Sequence, residues 1–250
     1  MIQGLSLFTN FFKENKNDYV VIGGLATVMI MNDLGFLARA TKDIDLVIIA
    51  NNNEKFIEKL LQFIEQAGYK TKQRTTNDTK HNMFRFLNSD DKSYPEQLEL
   101  FAIHDKNSKI ITDKTIIPIY TNQDYKYLSA ILLDTDYYSL LLKHTTFIEN
   151  LHIATPEVLI PLKIHAYLNL LGTQNAKKHL QDIIRLTTLL DNDDNIILEG
   201  KVKEDFQKFI PLLINIDNNR IKAILKSSKI FNISKEIIIN ILTQVYTIVI

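Results

Sequence analysis

The stretch YVVIGGLATVMIMNDLGFLARATKDIDLVIIA, from Tyr19 to Ala50, decides how the first part of the chain folds. Its first four residues, Tyr19–Ile22, are apolar and partly β-branched, which is typical of a short buried strand. Gly23 and Gly24 end this run, and the residues from 25 to 32 favour a helix. A second apolar run follows and carries two aspartates. The stretch therefore predicts a strand, a helix and a second strand in succession.

The two aspartates of the second run are Asp43 and Asp45. Residues two apart in a strand point to the same face, so these carboxylates are expected to lie side by side. Adjacent carboxylates repel each other and require a cation nearby. A hard divalent ion such as Mg²⁺ is the usual partner, because it prefers oxygen ligands.

The glycine pair lies between the first strand and the helix. Glycine permits positive φ and a close approach of backbone to ligand, and the N–H groups at a helix start attract anions. A lone glycine pair is more often just a tight turn, and a lone Asp-Ile-Asp is more often a solvated strand face. Together and in this order, they favour nucleotidyl transfer, in which the turn holds a triphosphate and the carboxylates hold a metal.

Composition sets the limits within which this site must work. The chain has 250 residues, 46% of them hydrophobic, a formal net charge of zero and no cysteine. A core of useful size is therefore expected, whereas disulfides, thiolate metal sites and a global field for nucleic acid are not. The N-terminus lacks a signal-peptide pattern, and the apolar C-terminal run is shorter than a membrane span. A cytoplasmic protein without a membrane partner is predicted.

Hydrophobic periodicity divides the chain into two parts. An amphipathic helix is expected over Glu54–Ala67. Further strands are expected over 69–74, 83–87, 98–103 and 116–120, with the second and third of these forming a hairpin. Helices are expected over 158–171, 175–190, 203–215 and 219–225, and from 234 to the end. The predicted fold class is α/β (α+β), with a mixed sheet and flanking helices in residues 1–127 and a helical domain in residues 128–250.

The segment GGLATVMIMNDLGFLARATKDIDLVI resembles the first motif of the nucleotidyltransferase fold, that of the DNA polymerase β-like superfamily. It is most similar to the AbiEii-type branch, which includes toxins of bacterial toxin–antitoxin pairs. The matching positions are Gly23, Gly24, Arg39, Thr41, Asp43 and Asp45. The segment departs from the family at Leu25, where Ser or Thr is usual, so a hydroxyl ligand for the phosphates is missing.

The superfamily often has a third carboxylate on a later strand. Glu99 is the best candidate, because it stands between apolar residues on a strand that could lie beside the two aspartates. Glu96 competes with it for this role. An outward-facing acid on an edge strand explains Glu99 equally well, and the sequence leaves these alternatives open.

Two further segments carry the resemblance into the helical part. ATPEVLIPLKIHAYLNL is similar to the third motif and contains Lys163, whereas KKHLQDIIRL places Asp182 at the fourth motif's aspartate. The resemblance implies that Lys163 and Asp182 face the cleft, with Asp182 near the acceptor hydroxyl. The apolar neighbours of Lys163 place its ammonium on or near a buried face, where it needs an anion, either a nucleotide phosphate or a carboxylate. Alternatively, Lys163 extends to solvent from a domain rim, and Asp182 pairs with Arg185 or Lys178 on its own helix.

The resemblance implies a transferase that moves a nucleoside monophosphate from an NTP to an acceptor hydroxyl, with Mg²⁺ or Mn²⁺. The acceptor would be tRNA or a protein, and an antitoxin would restrain the enzyme. The metal ligands would be Asp43, Asp45 and Glu99, the catalytic residues would be Asp43, Asp45, Lys163 and Asp182, and the nucleotide contacts would be Gly23, Gly24, Arg39, Thr41 and Lys163.

Two other functions fit the same motifs. One is an aminoglycoside-type transferase, and the other is a non-catalytic nucleotide-binding or regulatory protein. The basic cluster Lys177-Lys178-His179 is usually a solvated helix face, but in the transferase it would contact the phosphates of an acceptor RNA.

Overall fold

The computed structural model describes residues 2–49, 54–71, 85–103, 116–118 and 129–248, and for residues 71, 116–118 and 129–132 it describes the backbone only. Among these residues, the α-helices of the first part are Leu5–Phe11 (α1), Gly23–Asp33 (α2) and Glu54–Ala67 (α3), and Lys13–Asn15 forms a 3-10 turn. The first strands of this part are Tyr19–Ile22 (β1), Asp43–Ile48 (β2), Lys70–Thr71 (β3), Arg85–Leu87 (β4), Gln97–Ala102 (β5), Ile116–Pro118 (β6) and Ser129–Leu132 (β7).

The rest of the chain is largely helical. Its helices are Thr135–Lys143 (α4), Pro156–Asn169 (α5), Gln174–Thr187 (α6), Gly200–Ile214 (α7), Asn218–Ser227 (α8) and Lys235–Val245 (α9). Its strands are Thr145–Ile148 (β8), Leu151–Ala154 (β9), Ile196–Leu198 (β10) and Tyr246–Ile248 (β11).

A nine-stranded mixed sheet organises the first part. Its main order is β3-β4-β5-β2-β1-β9-β8, with β7 also paired to β5 and β6 paired to β7. Strand β1 is antiparallel to β2 and parallel to β9, whereas β2 and β5 are parallel. The predicted mixed sheet with flanking helices, followed by helices, is therefore confirmed.

Aromatic side chains attach α1 and α3 to β1. Phe8, Phe12 and Phe63 are fully or almost fully buried, and their ring centroids lie 4.8 to 5.6 Å apart. Tyr19 of β1 joins the same cluster through Phe8 at 5.6 Å and Phe56 at 6.1 Å. Pairs of this kind add to the free energy gained by burying their area. They hold the strand that leads into the glycine pair.

The chain folds into two compact units, each with its own packed interior. The first comprises Met1–Leu25, Thr41–Asp134 and Thr146–Ile153, and the second comprises Ala26–Ala40, Thr135–Thr145 and Ala154–Ile250. Strand β9 belongs to the first unit because it pairs with β1. The domain boundary predicted between residues 127 and 128 stays a prediction.

Local predictions were mostly accurate. The β4–β5 pair is antiparallel, as the hairpin prediction required, although residues 83 and 84 lie outside the described residues. Parts of the strands predicted over 69–74 and 116–120 also lie outside them.

The prediction of a helix from residue 234 to the C-terminus was wrong at its end. Helix α9 stops at Val245, and β11 follows and pairs in parallel with β10. The β-branched residues after Tyr246 favour extended backbone. In the described part of the chain, no helix has the length and apolar character that a membrane crossing requires.

Candidate functional site

The first candidate site lies on one face of β2 and β5. The two strands are parallel, with Asp45 in register with Glu99 and Asp43 in register with Gln97. Residues in register point to the same face, and so do residues two apart. Asp43, Asp45 and Glu99 therefore share a face, and we call these three residues the acidic face. The structure brings together the three carboxylates that the sequence offered as metal ligands.

Glu99 is the most buried member of the acidic face, with 7% of its surface exposed. Arg85 of β4 donates hydrogen bonds from Nε and Nη2 to the same oxygen of Glu99, Oε1. Burial raises the pKa of Glu99, Arg85 works against this increase, and the charge of Asp43 adds to it. Glu99 is thus electrostatically coupled both to a neighbouring carboxylate and to a cation.

Glu96, the competitor of Glu99, is placed differently. Its Oε2 lies 3.0 Å from Nζ of Lys42, and the lysine is largely exposed. It precedes the first residue of β5, whereas Glu99 is the register partner of Asp45. The strand register therefore favours Glu99 as the third carboxylate of the face.

Gly23 is the point where the backbone meets the acidic face. It has φ of +70°, and a Cβ added there would lie 2.0 Å from Oδ2 of Asp45. A side chain there would be strained by the backbone conformation and would force the carboxylate to shift. Helix α2 begins at this residue. The predicted glycine turn thus lies directly against one of the two predicted metal ligands.

The remaining residues of the first motif are less informative. Gly24 is buried at the start of α2, and Thr41 is partly exposed in the loop before β2. Leu25 is fully buried in the apolar core. The position at which the family usually has a hydroxyl is therefore used here for packing.

The second candidate site lies in the second unit and centres on Asp182 of α6. Lys163 of α5 donates from Nζ to Oδ2 of Asp182 at 2.8 Å. Arg39 donates from Nε to Oδ1 and from Nη2 to Oδ2, both at 3.1 Å. Arg185 approaches Oδ1 with Nη1 at 3.7 Å. We call these four residues the cation cluster, because three cations surround one carboxylate.

The residues of the cation cluster are buried, and their charges therefore shift the pKa values of neighbouring groups. Asp182 is 1% exposed, Lys163 4% and Arg185 6%. Burial alone would raise the pKa of Asp182, but Lys163 and Arg39 outweigh it and hold that pKa below its usual value. The pKa of the neighbouring His179 is lowered to about 4, first by burial and then by the charge of Lys163. Positive charge therefore dominates the pKa of Asp182, whereas at His179 it adds to the larger effect of burial.

Two serine hydroxyls hold the guanidinium of Arg185. Its Nε donates to Ser228 Oγ at 2.6 Å, and its Nη2 donates to Ser227 Oγ at 3.0 Å. Its Nη1 is buried and has no hydrogen-bond partner among the described residues. The alternative in which Asp182 pairs with Arg185 on its own helix is present, in addition to the pairing with Lys163.

The acidic face has a donor set that suits Mg²⁺ or Mn²⁺. Carboxylate oxygens are the preferred protein ligands of such ions, which commonly use one or two carboxylates together with substrate phosphates. Within the described ranges, no group of three or more His, Cys, Asp or Glu side chains is arranged to hold a metal by itself. The type of donor therefore suits such an ion, whereas the three carboxylates are not arranged to hold it by themselves.

Sequence reasoning missed two cations, Arg85 and the full role of Arg185. Arg85 could have been found from the predicted hairpin, since β4 and β5 place it opposite Glu99. Arg185 was considered only as a partner of Asp182, three residues away on the same helix. Its anchoring by Ser227 and Ser228 depends on α8, some forty residues later, and left no local signal.

Comparison with known proteins leaves the family open. No protein-family model matches the chain, and no curated protein gives a significant match. Among solved structures, an antigenic nucleotidyltransferase-like protein from Paracoccidioides brasiliensis is 15% identical with a TM-score of 0.45, over 91% of this chain and 95% of that chain. JHP933 from Helicobacter pylori is 15% identical with a TM-score of 0.43, over 97% and 88% of the two chains. The antibiotic-resistance factor ANT(2'')-Ia is 14% identical with a TM-score of 0.38, over 84% and 94%. At these values the likenesses assign neither family nor activity.

Proposed function

We propose that this protein is a metal-dependent nucleotidyltransferase that moves a nucleoside monophosphate from an NTP to an acceptor hydroxyl. The observation that carries the proposal is the register of β2 and β5, which puts Asp43, Asp45 and Glu99 on one face beside Gly23. Three carboxylates on one face form a set of oxygen donors, and Arg85 pairs with Glu99. Such an arrangement is stabilised when a divalent cation binds.

The residues of the acidic face have different roles in the proposed reaction. Asp43 and Asp45 hold Mg²⁺ or Mn²⁺, which when bound polarises the phosphate oxygens and the acceptor hydroxyl. Glu99, which Arg85 holds through Oε1, supports the same site. The acceptor oxygen forms a bond to the α-phosphorus, pyrophosphate departs, and the hydroxyl proton passes to a carboxylate of the site.

Arg39, whose side chain is 26% exposed, supplies positive charge for the phosphates, and the nearly inaccessible Lys163 binds the same carboxylate. Both are held by Asp182, which is too deeply buried to serve as an acceptor contact. We therefore assign Asp182 a positioning role, in which it orients the two cations. Preorganised cations of this kind stabilise the charge that develops on a transferred phosphoryl group.

The resemblance to AbiEii-type proteins extends the proposal to a toxin restrained by an antitoxin, with tRNA or a protein as the acceptor. Expression of the wild-type chain in a bacterial host should then arrest growth, and expression of Asp45→Asn should not. Equal growth with both chains would contradict the toxin role and leave the transferase proposal standing.

The test of the transferase proposal is label transfer. The full chain is incubated with each α-labelled NTP, Mg²⁺ or Mn²⁺, and total tRNA, cellular protein or aminoglycosides as acceptors. Transfer should occur to one acceptor class, and Asp43→Asn and Asp45→Asn should each lower its rate by about 10³-fold or more. Asp91→Asn, an exposed aspartate in the same unit, serves as the matched control and should retain activity.

Nucleotide binding gives a second readout that does not depend on finding the acceptor. Mg²⁺ with a non-hydrolysable NTP should raise the melting temperature of the wild type, since a ligand at 100 times its Kd adds about 2.7 kcal/mol. Asp45→Asn should lose this increase. If Asp45→Asn binds as tightly as the wild type, the acidic face is not a metal–nucleotide site.

A further inference from the structure

A groove between α6 and α8 is left unexplained by the proposed transfer site. It has a volume of about 510 Å³ and is lined by Lys177, Gln181, Arg220, Ala223, Ile224 and Ser227. The α8 residues are spaced as i, i+3, i+4 and i+7, so they form one face of that helix, and the α6 residues are four apart. The groove is therefore a continuous feature formed by two facing helix surfaces.

The frame of the groove is fixed by buried contacts. Arg185 of α6 donates to the hydroxyls of Ser227 and Ser228 at the end of α8. Ser227 in turn donates to the carbonyl oxygen of Ile224 at 2.6 Å. The two hydrogen bonds from Arg185 join the walls at one end of the groove, so its shape is preorganised for a ligand.

The charge of the groove has one sign. Its lining, among the described residues, includes the exposed cations Lys177 and Arg220 and no acid. Residues 218–235 contain five cations and no aspartate or glutamate, and they are flanked by Glu236 and by Asp217, which caps α8 through the N–H groups of Asn219 and Arg220. On α6 the acid nearest to the groove residues is Asp182, which is buried and paired with the cations of the cation cluster. A neutral protein thus has a local surface that attracts polyanions.

The other lining residues indicate which polyanion fits. Ala223 and Ile224 give the groove an apolar floor, and Gln181 adds an amide that can donate and accept hydrogen bonds. A groove of this size exceeds what a single phosphate ion fills. Phosphates beside apolar ribose and base surfaces are the repeating pattern of a nucleic-acid strand, and a guanidinium such as that of Arg220 can stack on a base.

We propose that the groove between α6 and α8 binds single-stranded RNA, with Lys177 and Arg220 contacting successive phosphates. This inference rests on the proposed function only in assigning the bound RNA as the acceptor. Binding itself requires neither metal nor NTP, so it can be measured apart from transfer.

The test is titration of the full chain into a fluorescein-labelled single-stranded RNA of about 20 nucleotides, without metal or NTP, at several salt concentrations. Lys177→Ala/Arg220→Ala should weaken binding by about 10-fold or more at low salt. It should also reduce the slope of log K against log salt by about 1.4, since each lost phosphate contact with a single strand contributes about 0.7.

The matched control is Lys222→Ala/Lys226→Ala. These lysines are exposed on the same helix, are not among the residues that line the groove, and carry the same total charge as the tested pair. The control should change RNA affinity by less than about 3-fold, because only general electrostatic attraction is lost. Melting temperatures establish that both double variants are folded.

Three outcomes would overturn the proposal: no RNA binding by the wild type, equal losses in both double variants, or equally tight and equally variant-sensitive binding of poly-glutamate. The last outcome would indicate an acidic protein as the occupant. Transfer activity separates the two proposals. RNA binding without any label transfer would count against the transferase, whereas transfer that survives Lys177→Ala/Arg220→Ala unchanged would count against the groove as the acceptor site.

Discussion

The acidic face and the cation cluster have opposite arrangements of charge. On the acidic face three carboxylates share one strand surface, and one arginine offsets Glu99. In the cation cluster three cations surround the single carboxylate of Asp182. Each region has an excess of one sign of charge, and burial makes that excess costly. Each therefore carries unfavourable electrostatic energy that a bound ion of the opposite sign would relieve.

The two regions differ in how deeply the charges lie. Asp182, Lys163 and Arg185 are nearly inaccessible, whereas Asp43 and Asp45 are only partly buried. Solvent screens exposed charges and leaves buried ones strongly coupled. Changes in the cation cluster should therefore alter the free energy of unfolding more than equivalent changes on the acidic face.

The largest effect is expected from Asp182→Asn. The substitution keeps the shape of the side chain but leaves Lys163 and Arg185 buried without their anion. Breaking a buried ion pair in this way costs about 3–5 kcal/mol. Urea unfolding at pH 7 should show this loss.

The control and the rescue follow from the same geometry. Asp193→Asn, at an exposed aspartate, should change the free energy of unfolding by less than about 0.5 kcal/mol. Adding Lys163→Met to Asp182→Asn should recover part of the loss, because one unpaired cation is removed. A loss below about 1 kcal/mol in Asp182→Asn alone would mean that the cluster does not depend on its carboxylate.

The next effect is expected from Gly23→Ala on the acidic face. Alanine at φ of +70° is strained, and its Cβ would displace the carboxylate of Asp45. Together these costs should reach about 2–3 kcal/mol. Thermal or urea unfolding measures the change.

Gly172→Ala separates the two contributions. Gly172 has φ of +83°, and a Cβ there would meet nothing within 4 Å, so only the conformational cost of about 1 kcal/mol applies. In the double variant Gly23→Ala/Asp45→Ala the carboxylate is absent, so the part of the destabilisation that comes from the clash with Asp45 should disappear. If Gly23→Ala and Gly172→Ala lower the free energy of unfolding equally, the contact with Asp45 does not contribute to the cost.

The shared face of Asp43 and Asp45 could be predicted because its information is local. Two aspartates two residues apart define a strand face, and a glycine pair before a helix defines a turn. Even Glu99 was within reach, since a lone acid between apolar residues on a neighbouring strand must face something polar. The choice between Glu99 and Glu96 needed the register of β2 and β5, which no local pattern contains.

The cation cluster was predicted only in part. The apolar neighbours of Lys163 predicted that it needs an anion, and the resemblance singled out Asp182, but nothing in the sequence linked Arg39 to Asp182, 143 positions later. Such contacts depend on how helices pack, and packing is decided by many small contributions rather than by one motif. The C-terminal strand β11 was missed for the same reason, because its pairing partner β10 lies some fifty residues earlier.

The pH dependence of stability should show that His179 is held neutral beside the cation cluster. The unfolded chain protonates His179 near pH 6.5, but the folded pKa is about 4. Between these values the unfolded state binds more protons, so the free energy of unfolding falls as the pH falls. From pH 7 to pH 5 the loss should be about 1 to 2 kcal/mol, allowing for the partial exposure of the ring.

His179→Gln should remove this part of the slope while leaving stability at pH 7 within about 1 kcal/mol. Urea unfolding at pH 7, 6 and 5 measures both quantities. Other groups that titrate in this range contribute equally to variant and wild type. If the two chains lose stability in parallel from pH 7 to pH 5, His179 is not held neutral by its surroundings.

The smallest effect, and the one that opposes the others in sign, is expected from Asp43→Asn. Burial is the main cause of the raised pKa of Glu99, and the charge of Asp43 adds to it, so the two carboxylates repel each other in the folded chain. Neutralising Asp43 in EDTA should stabilise the protein by about 0.5 kcal/mol, because partly exposed charges are screened. Asp193→Asn is the control, since its carboxylate is exposed.

With Mg²⁺ and a non-hydrolysable NTP the wild type should become the more stable chain. Destabilisation of Asp43→Asn in EDTA would show that Asp43 is held by a structural contact, and the acidic face would no longer mirror the cation cluster.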